Sequence, residues 1–158
     1  MRRARPPRGS SSEAGWTLIE LLMLVALIGI LAAIAVPMLI QVIERAKFRR
    51  CIADMRMIEF EIEQFDTREG RFPDDLSELD GPLPLDPWGR PYQYFLFQGP
   101  GWRGRARKDR FLVPINTYYD LYSVGVDGET RPPLQIPVSH DDVVRANDGY
   151  FYGYGRDF

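Results

Sequence analysis

The sequence has little of the residue types on which most disulfide, zinc and hydrolytic sites depend. Its 158 residues include one cysteine, Cys51, and one histidine, His140. A single thiol excludes an internal disulfide, and one histidine with no second soft ligand nearby does not predict zinc. We find no nucleophile–base pair, no phosphate-binding glycine loop and no metal triad, so the sequence does not predict an enzyme.

The net charge is also small. It is −2, from 20 basic and 22 acidic residues, and does not predict nucleic acid as an obligatory partner. The charge is unevenly distributed, because the leader, residues 1–15, contains four arginines and one acid. This Arg/Pro/Ser/Gly segment has too few apolar groups to fold by itself. The chain length fits one modest domain with an anchor.

Charged residues are absent from residues 21–40, which are rich in Leu, Ile, Ala and Val. Helical residues rise about 1.5 Å each, so this segment spans roughly 30 Å, the thickness of the hydrocarbon layer of a bilayer. It is apolar all round, unlike the core helix of a soluble protein. We therefore predict a transmembrane segment at 21–40. Pro37 removes one backbone hydrogen bond and is the predicted site of a helix kink.

Two questions about this segment stay open at the level of the sequence. Basic residues flank both of its ends, so the positive-inside rule does not choose an orientation. The tripeptide Ala33-Ile34-Ala35 resembles the cleavage site of a conventional secretory signal. Cleavage there would release a soluble secreted protein instead of a membrane protein.

After residue 40 the pattern becomes amphipathic. Apolar side chains recur at steps of three and four residues, at Phe48, Ile52, Met55, Ile58, Ile62 and Phe65. This spacing predicts one long helix over 16–68 that packs its apolar stripe, with Cys51 buried beside it, on the rest of the chain.

The remainder of the chain, 69–158, is predicted to form a globular head. Short aromatic or β-branched segments between prolines predict strands at 92–97, 111–115 and 118–126. The Gly/Tyr-rich tail, 149–158, is compatible with a final strand or with a contact surface. The predicted fold class is α+β, with a long N-terminal helix packed on a small antiparallel sheet.

A specific motif joins the leader to the apolar segment. The six residues that begin at Gly15 read GWTLIE. With the basic leader before them and the apolar segment after them, they resemble the class III signal of type IV pilins and pseudopilins. The resemblance implies that a prepilin peptidase cuts between Gly15 and Trp16 and methylates the new N-terminus. It also implies a bend at Pro37. Tryptophan stands where this family usually has phenylalanine.

The same resemblance gives Glu20 a role in filament registry. Cleavage creates an α-amine that is mostly cationic at neutral pH, and methylation keeps its charge. A carboxylate in lipid needs a cation, which the amine of a neighbouring subunit would supply only when the subunits are in register. The alternative is an interfacial glutamate without a partner.

Two stretches of the head resemble the paired signatures of the major pseudopilin of type II secretion systems. They read DPWGRPY from Asp86 and DLYSVGVDG from Asp120, and Asp141-Asp142 follows them. In isolation the first stretch is a favourable turn sequence.

This second resemblance implies a calcium site. The ligands would be the side chains of Asp127 and Asp141 and the backbone carbonyl of Val124, an oxygen-rich set that suits calcium. The loop 128–140 is longer than is usual in the family, and Asp142 is an alternative second ligand. A solvated acidic turn without metal is the other interpretation.

Together the resemblances imply a non-enzymatic structural subunit of a type II secretion pseudopilus. It would polymerise with itself and meet a prepilin peptidase, an inner-membrane assembly platform and minor pseudopilins. We expect a single-pass inner-membrane protein with a cytoplasmic leader and a periplasmic head, which then enters a periplasmic filament. The alternative is a type IV or competence pilin that binds DNA through the basic loop 103–110, although a solvated insertion is the more common explanation of such a loop.

Overall fold

The computed structural model describes residues 15–158, and the leader lies outside the described residues except for Gly15. The main helix, α1, covers Leu18–Glu69. It ends where Gly70 adopts a φ of 70° and donates its N–H to the carbonyl of Asp66 at 2.8 Å. A left-handed glycine is the common way to terminate a helix. The predicted long helix is confirmed, and it continues through Pro37 without interruption.

The chain divides into two compact units, and the first of them ends at Val42. From Gly15 to Val42 every residue is exposed. The helix is long and apolar enough to cross a membrane, with a window of mean hydropathy 2.8. The apolar surface of this unit therefore has no partner among the residues that the structure describes.

The second unit covers Ile43–Phe158 and contains the C-terminal part of α1 together with everything that follows. The amphipathic stripe of α1 supplies one wall of the core of this unit, so the compact head begins at Ile43. The stripe residues that are buried are Cys51, Met55, Ile58, Ile62 and Phe65. Phe48 and Ile52 pack against this core and are half-buried.

Four short strands form one antiparallel sheet in the order β1-β2-β3-β4. They are β1 Gln93–Leu96, β2 Tyr119–Ser123, β3 Val143–Ala146 and β4 Phe151–Tyr154. A four-residue helix, α2, covers Trp102–Arg105, and single turns of 3-10 helix occur at Leu76–Glu78, Pro137–Ser139, Asn147–Gly149 and Gly155–Asp157.

The sheet separates two apolar clusters. Tyr119, Leu121 and Val143 face the stripe of α1. The neighbouring residue Val144 packs instead with Ala146 in a smaller cluster that includes Ile115 and Leu134. Successive strand residues point to opposite faces, so one strand serves both clusters.

The α+β fold class is confirmed, and two of the three predicted strands are present in shortened form. The prediction of a strand at 111–115 is wrong. Asp109 and Leu112 exchange backbone hydrogen bonds across a tight turn, and Pro114 cannot donate to a ladder. The sequence analysis missed β3, and the tail forms β4 rather than a contact surface alone.

Candidate functional site

The predicted cleavage position lies just outside the start of α1. Gly15 and Trp16 are exposed and belong to no regular element, and the helix begins two residues later at Leu18. An extended, accessible peptide bond is the form that a peptidase needs. The structure is compatible with cleavage between Gly15 and Trp16, which stays a prediction.

Glu20 is held at the start of the helix by a reciprocal pair of bonds with Thr17. One carboxylate oxygen, Oε2, accepts from the backbone N–H of Thr17 at 2.8 Å and from its hydroxyl at 2.7 Å. The N–H of Glu20 donates to the Thr17 hydroxyl oxygen at 3.3 Å. This capping box fixes the N-terminus of the helix. It also fixes the carboxylate near the predicted new terminus.

The two signature stretches of the head meet at a single carboxylate, that of Asp86. Its Oδ1 accepts from the N–H groups of Trp88 at 3.0 Å and Arg90 at 2.8 Å, which closes the Asp-Pro-Trp-Gly turn. Its Oδ2 accepts from the hydroxyl of Ser123 at 2.6 Å, at the end of β2. Gly89 completes the turn with a φ of 87°. The stretches treated separately in the sequence analysis are one structural unit.

The turn also directs Arg90 into the second signature. The guanidinium Nη1 of Arg90 donates to the carbonyl oxygens of Gly125 at 2.6 Å and Val126 at 3.2 Å. Its Nη2 donates to Val126 at 3.2 Å as well. Sequence analysis did not single out Arg90, because 35 residues separate it from Gly125. The sequence signal for Arg90 was its position directly after the Asp-Pro-Trp-Gly turn, whereas its partners lie in a distant loop.

The predicted calcium ligands lie in this loop, but they are engaged with the protein itself. Oδ2 of Asp141 accepts from the N–H groups of Val126 at 2.7 Å and Asp127 at 3.1 Å. Oδ1 of Asp127 accepts from the N–H of Glu129 at 2.8 Å. Within residues 15–158 no group of three or more His, Cys, Asp or Glu side chains is placed to hold a metal ion.

The alternative ligand Asp142 is fully buried beside a cation. Its Oδ2 lies 2.8 Å from Nη1 of Arg107 and accepts from the Thr130 hydroxyl at 2.7 Å. Its Oδ1 is buried and has no hydrogen-bond partner among residues 15–158. Burial raises the pKa of the Asp142 carboxyl, and Arg107 opposes that shift. A divalent ion at Oδ1 would lie next to a buried guanidinium, which is electrostatically unfavourable.

The oxygen atoms of this loop are therefore not arranged as a calcium cage in the structure. Asp141 and Asp127 accept backbone N–H groups, and the carbonyls of Gly125 and Val126 accept a guanidinium. Calcium bound by Asp127, Asp141 and the Val124 carbonyl stays a prediction that rests on the resemblance.

The basic loop 103–110 is not uniformly exposed. Arg107 is 2% exposed, its guanidinium lies 3.7 Å from the ring centroid of Tyr122, and its Nη1 donates to the carbonyl of Arg131 at 2.9 Å. The backbone N–H of Arg107 donates to Oδ2 of Asp120, and burial raises the pKa of the Asp120 carboxyl. The interpretation of the whole loop as a solvated insertion is wrong for Arg107, which stabilises the interior of the head.

A second buried cation joins the sheet to the helix. Nε of Arg145, in β3, lies 2.5 Å from Oε1 of Glu59, in α1. Tyr152 donates its hydroxyl to the same carboxylate, and the guanidinium of Arg145 lies 4.6 Å from the ring centroid of Tyr119. Sequence analysis missed this pair as well, because an arginine between strand residues is normally expected to face solvent.

Several curated proteins are similar to this chain over most of its length. The type II secretion system core protein G of Pseudomonas aeruginosa is 28% identical over an alignment covering 74% of this chain and 86% of that protein. The core protein G of Escherichia coli is 25% identical, covering 77% of this chain and 88% of that protein. The core protein G of Vibrio cholerae is 25% identical, covering 74% and 83%.

The chain is similar to type II secretion core protein G. The resemblance to the major pseudopilin is therefore confirmed, and the similarity extends over most of the length of both proteins. It supports a pseudopilin role, and the relatives carry the name of a core component of a secretion system rather than that of an enzyme. No protein-family model and no solved structure matches the chain.

Proposed function

We propose that this chain is a structural subunit of a type II secretion pseudopilus, processed at Gly15–Trp16 and polymerised through the N-terminal part of α1. The observation that carries the proposal is the contrast in burial along the helix. The head completes its own core, whereas every residue from Gly15 to Val42 is exposed. An apolar surface of this length needs lipid first and other copies of the same helix later.

Registry between copies follows from the position of Glu20. After cleavage, Trp16 carries a cationic amine four residues before this carboxylate. Within one chain the carboxylate is held by Thr17. In a filament it would exchange this bond for the amine of a neighbouring copy, and only an aligned copy would offset the cost of removing the carboxylate from water.

The resemblance supplies the cellular setting of the proposal. The leader lies in the cytoplasm, α1 crosses the inner membrane once, and the head lies in the periplasm. A prepilin peptidase removes the leader and methylates Trp16. The assembly platform then transfers the subunit into a periplasmic filament with minor pseudopilins. Extraction from lipid exposes a large apolar area, and burial of the same helix surface in the filament offsets that cost.

The proposal is tested by intact mass and by filament formation in cells that carry the secretion system. We expect a chain that begins at Trp16 with one added methyl group. We expect Glu20→Gln to weaken subunit association at least about tenfold, which corresponds to a loss of roughly 1.4 kcal/mol or more, and so to lower the amount of filament. Glu63→Gln, the same change at an exposed position of the same helix, is the control and assembles normally.

Two results would contradict the proposal. A chain from working cells that keeps its leader, or that begins after Ala35, would exclude prepilin processing. Filaments of Glu20→Gln at the level of the Glu63→Gln control would exclude the registry role of this carboxylate.

A further inference from the structure

Arg90 is the one side chain of the Asp-Pro-Trp-Gly turn that reaches the loop after β2. Three hydrogen bonds of 2.6, 3.2 and 3.2 Å join its guanidinium to the carbonyl oxygens of Gly125 and Val126. Both carbonyls point at the same cation, although neighbouring carbonyls in an extended chain point to opposite sides. The loop has therefore turned two of its oxygens towards one positive group.

The loop is also shaped around this guanidinium. Gly128 has a φ of 76°, and a Cβ added there would lie 2.6 Å from the guanidinium carbon of Arg90. Gly125 has a φ of 64°, and a Cβ there would collide with the backbone and the carboxylate of Asp141. Both glycines permit backbone conformations that other residues rarely adopt. Gly128 leaves room for the guanidinium of Arg90, and Gly125 leaves room for Asp141.

Two aspartates of the loop each use one carboxylate oxygen to accept from the main chain. Asp141 accepts from two backbone N–H groups, and Asp127 accepts from a third. Oδ2 of Asp141 and Oδ1 of Asp127 thus accept from main-chain donors, and the carbonyls of Gly125 and Val126 accept from a guanidinium. A guanidinium carries five N–H donors in one plane and keeps its charge at every physiological pH, so it is suited to bind several carbonyls at once.

We propose that Arg90 is a built-in cation that closes the loop between β2 and Asp141, so that this loop reaches its folded form without a divalent ion. Asp86 is the positioning residue, because its Oδ1 accepts from the backbone N–H of Arg90 at 2.8 Å and fixes where the side chain starts. The inference concerns the stability of the head and does not depend on the filament role.

The test uses the full-length protein in detergent and measures the melting temperature by tryptophan fluorescence, in EGTA and in millimolar calcium chloride. We expect the wild-type protein to melt at the same temperature in both. We expect Arg90→Gln to lower the melting temperature by several degrees, since two carbonyls lose a charged donor. Arg131→Gln removes the same charge from an exposed position of the same loop and should change the melting temperature little.

A calcium-dependent rise in the wild type would overturn the proposal and support the metal site expected from the resemblance. An Arg90→Gln protein that melts with the Arg131→Gln control would also overturn it. If Arg90→Gln does not fold, Arg90→Lys takes its place. The ammonium keeps the charge but cannot donate in the same planar pattern, so its melting temperature should fall below that of the wild type. An Arg90→Lys protein as stable as the wild type would count against the guanidinium.

Discussion

The N-terminal part of α1, which ends at Val42, differs from the rest of the helix in how far its apolar side chains are buried. Every residue from Gly15 to Val42 is exposed, whereas the second part buries Cys51, Met55, Ile58, Ile62 and Phe65. The first part is apolar on all sides, and the second restricts its apolar residues to one stripe. The two parts of the helix therefore suit different surroundings. Within the residues that the structure describes, only the second part packs its apolar side chains against other elements.

The charged groups follow the same division. The head buries two arginine–carboxylate pairs, Arg107 with Asp142 and Arg145 with Glu59. Glu20, in the first unit, is exposed, and within residues 15–158 its hydrogen bonds are to Thr17. The head therefore compensates its own charges, while the N-terminal carboxylate remains available for a partner outside the chain.

The sharpest test of this comparison removes a buried charge from the head. We expect Arg107→Leu to lower the free energy of unfolding by about 3–5 kcal/mol, because it leaves the buried carboxylate of Asp142 without its cation. Urea unfolding of the full-length protein in detergent measures the change. The control, Arg103→Leu, removes an exposed arginine that lies over Trp102 and should cost about 1 kcal/mol or less. Equal losses in the two variants would show that the interior of the head does not depend on this pair.

The second test compares equal truncations in the two parts of the helix. Ile58 is fully buried and Ile28 is exposed. We expect Ile58→Ala to lower the free energy of unfolding of the head by about 2–5 kcal/mol, through lost burial and a residual cavity. Ile28→Ala should leave that free energy unchanged and affect only membrane insertion or assembly. Equal losses of free energy of unfolding in the two variants would show that the two parts of the helix do not differ in their contribution to the core of the head.

The smallest expected effect is a loss of stability at high pH, and it also belongs to the head alone. Burial raises the pKa of the Cys51 thiol from 9.0 to about 12. Burial also raises the pKa values of Tyr94 and Tyr119 above their ordinary value of 10.0. The folded state thus keeps protons that the unfolded chain releases, so the free energy of unfolding falls as the pH rises above 9.0.

Urea titrations at a series of alkaline pH values measure this slope. Between pH 9.0 and 10.0 the thiol begins to contribute before the tyrosines, so Cys51→Ala should reduce the slope in that interval. An unchanged slope in Cys51→Ala would mean that the thiol is not protected by the core. At lower pH the stability from these groups is fully present, because both states are then protonated.

The parts of the fold that follow a local period could be predicted from the sequence. The stripe of α1 repeats every three to four residues, and Ile58 and Ile62 lie where that period places them. The strand β3 was not predictable in the same way, since Arg145 interrupts its apolar residues and pairs with Glu59, 86 residues away. The error at 111–115 has a related cause, because its apolar composition suited a strand while Pro114 and a tight turn did not.

The candidate sites show the same limit. Gly15, Trp16 and Glu20 lie within six consecutive residues, so their motif could be found by reading along the chain. The partnership of Arg90 with Gly125 and Val126 depends on where the fold brings two turns together. No spacing rule within either stretch encodes that contact. The resemblance to pseudopilins implied carboxylates as ligands of a cation, whereas the structure shows a guanidinium beside the loop.

The carboxylate of Asp86, which closes one turn and anchors the end of β2, constrains how this protein can diverge. A substitution there would disturb two sequence-distant stretches at once, and no single second change would restore both. Descendants of this chain would therefore retain the aspartate or rebuild the turn, the strand end and the following loop as a group. The two stretches are therefore expected to change together.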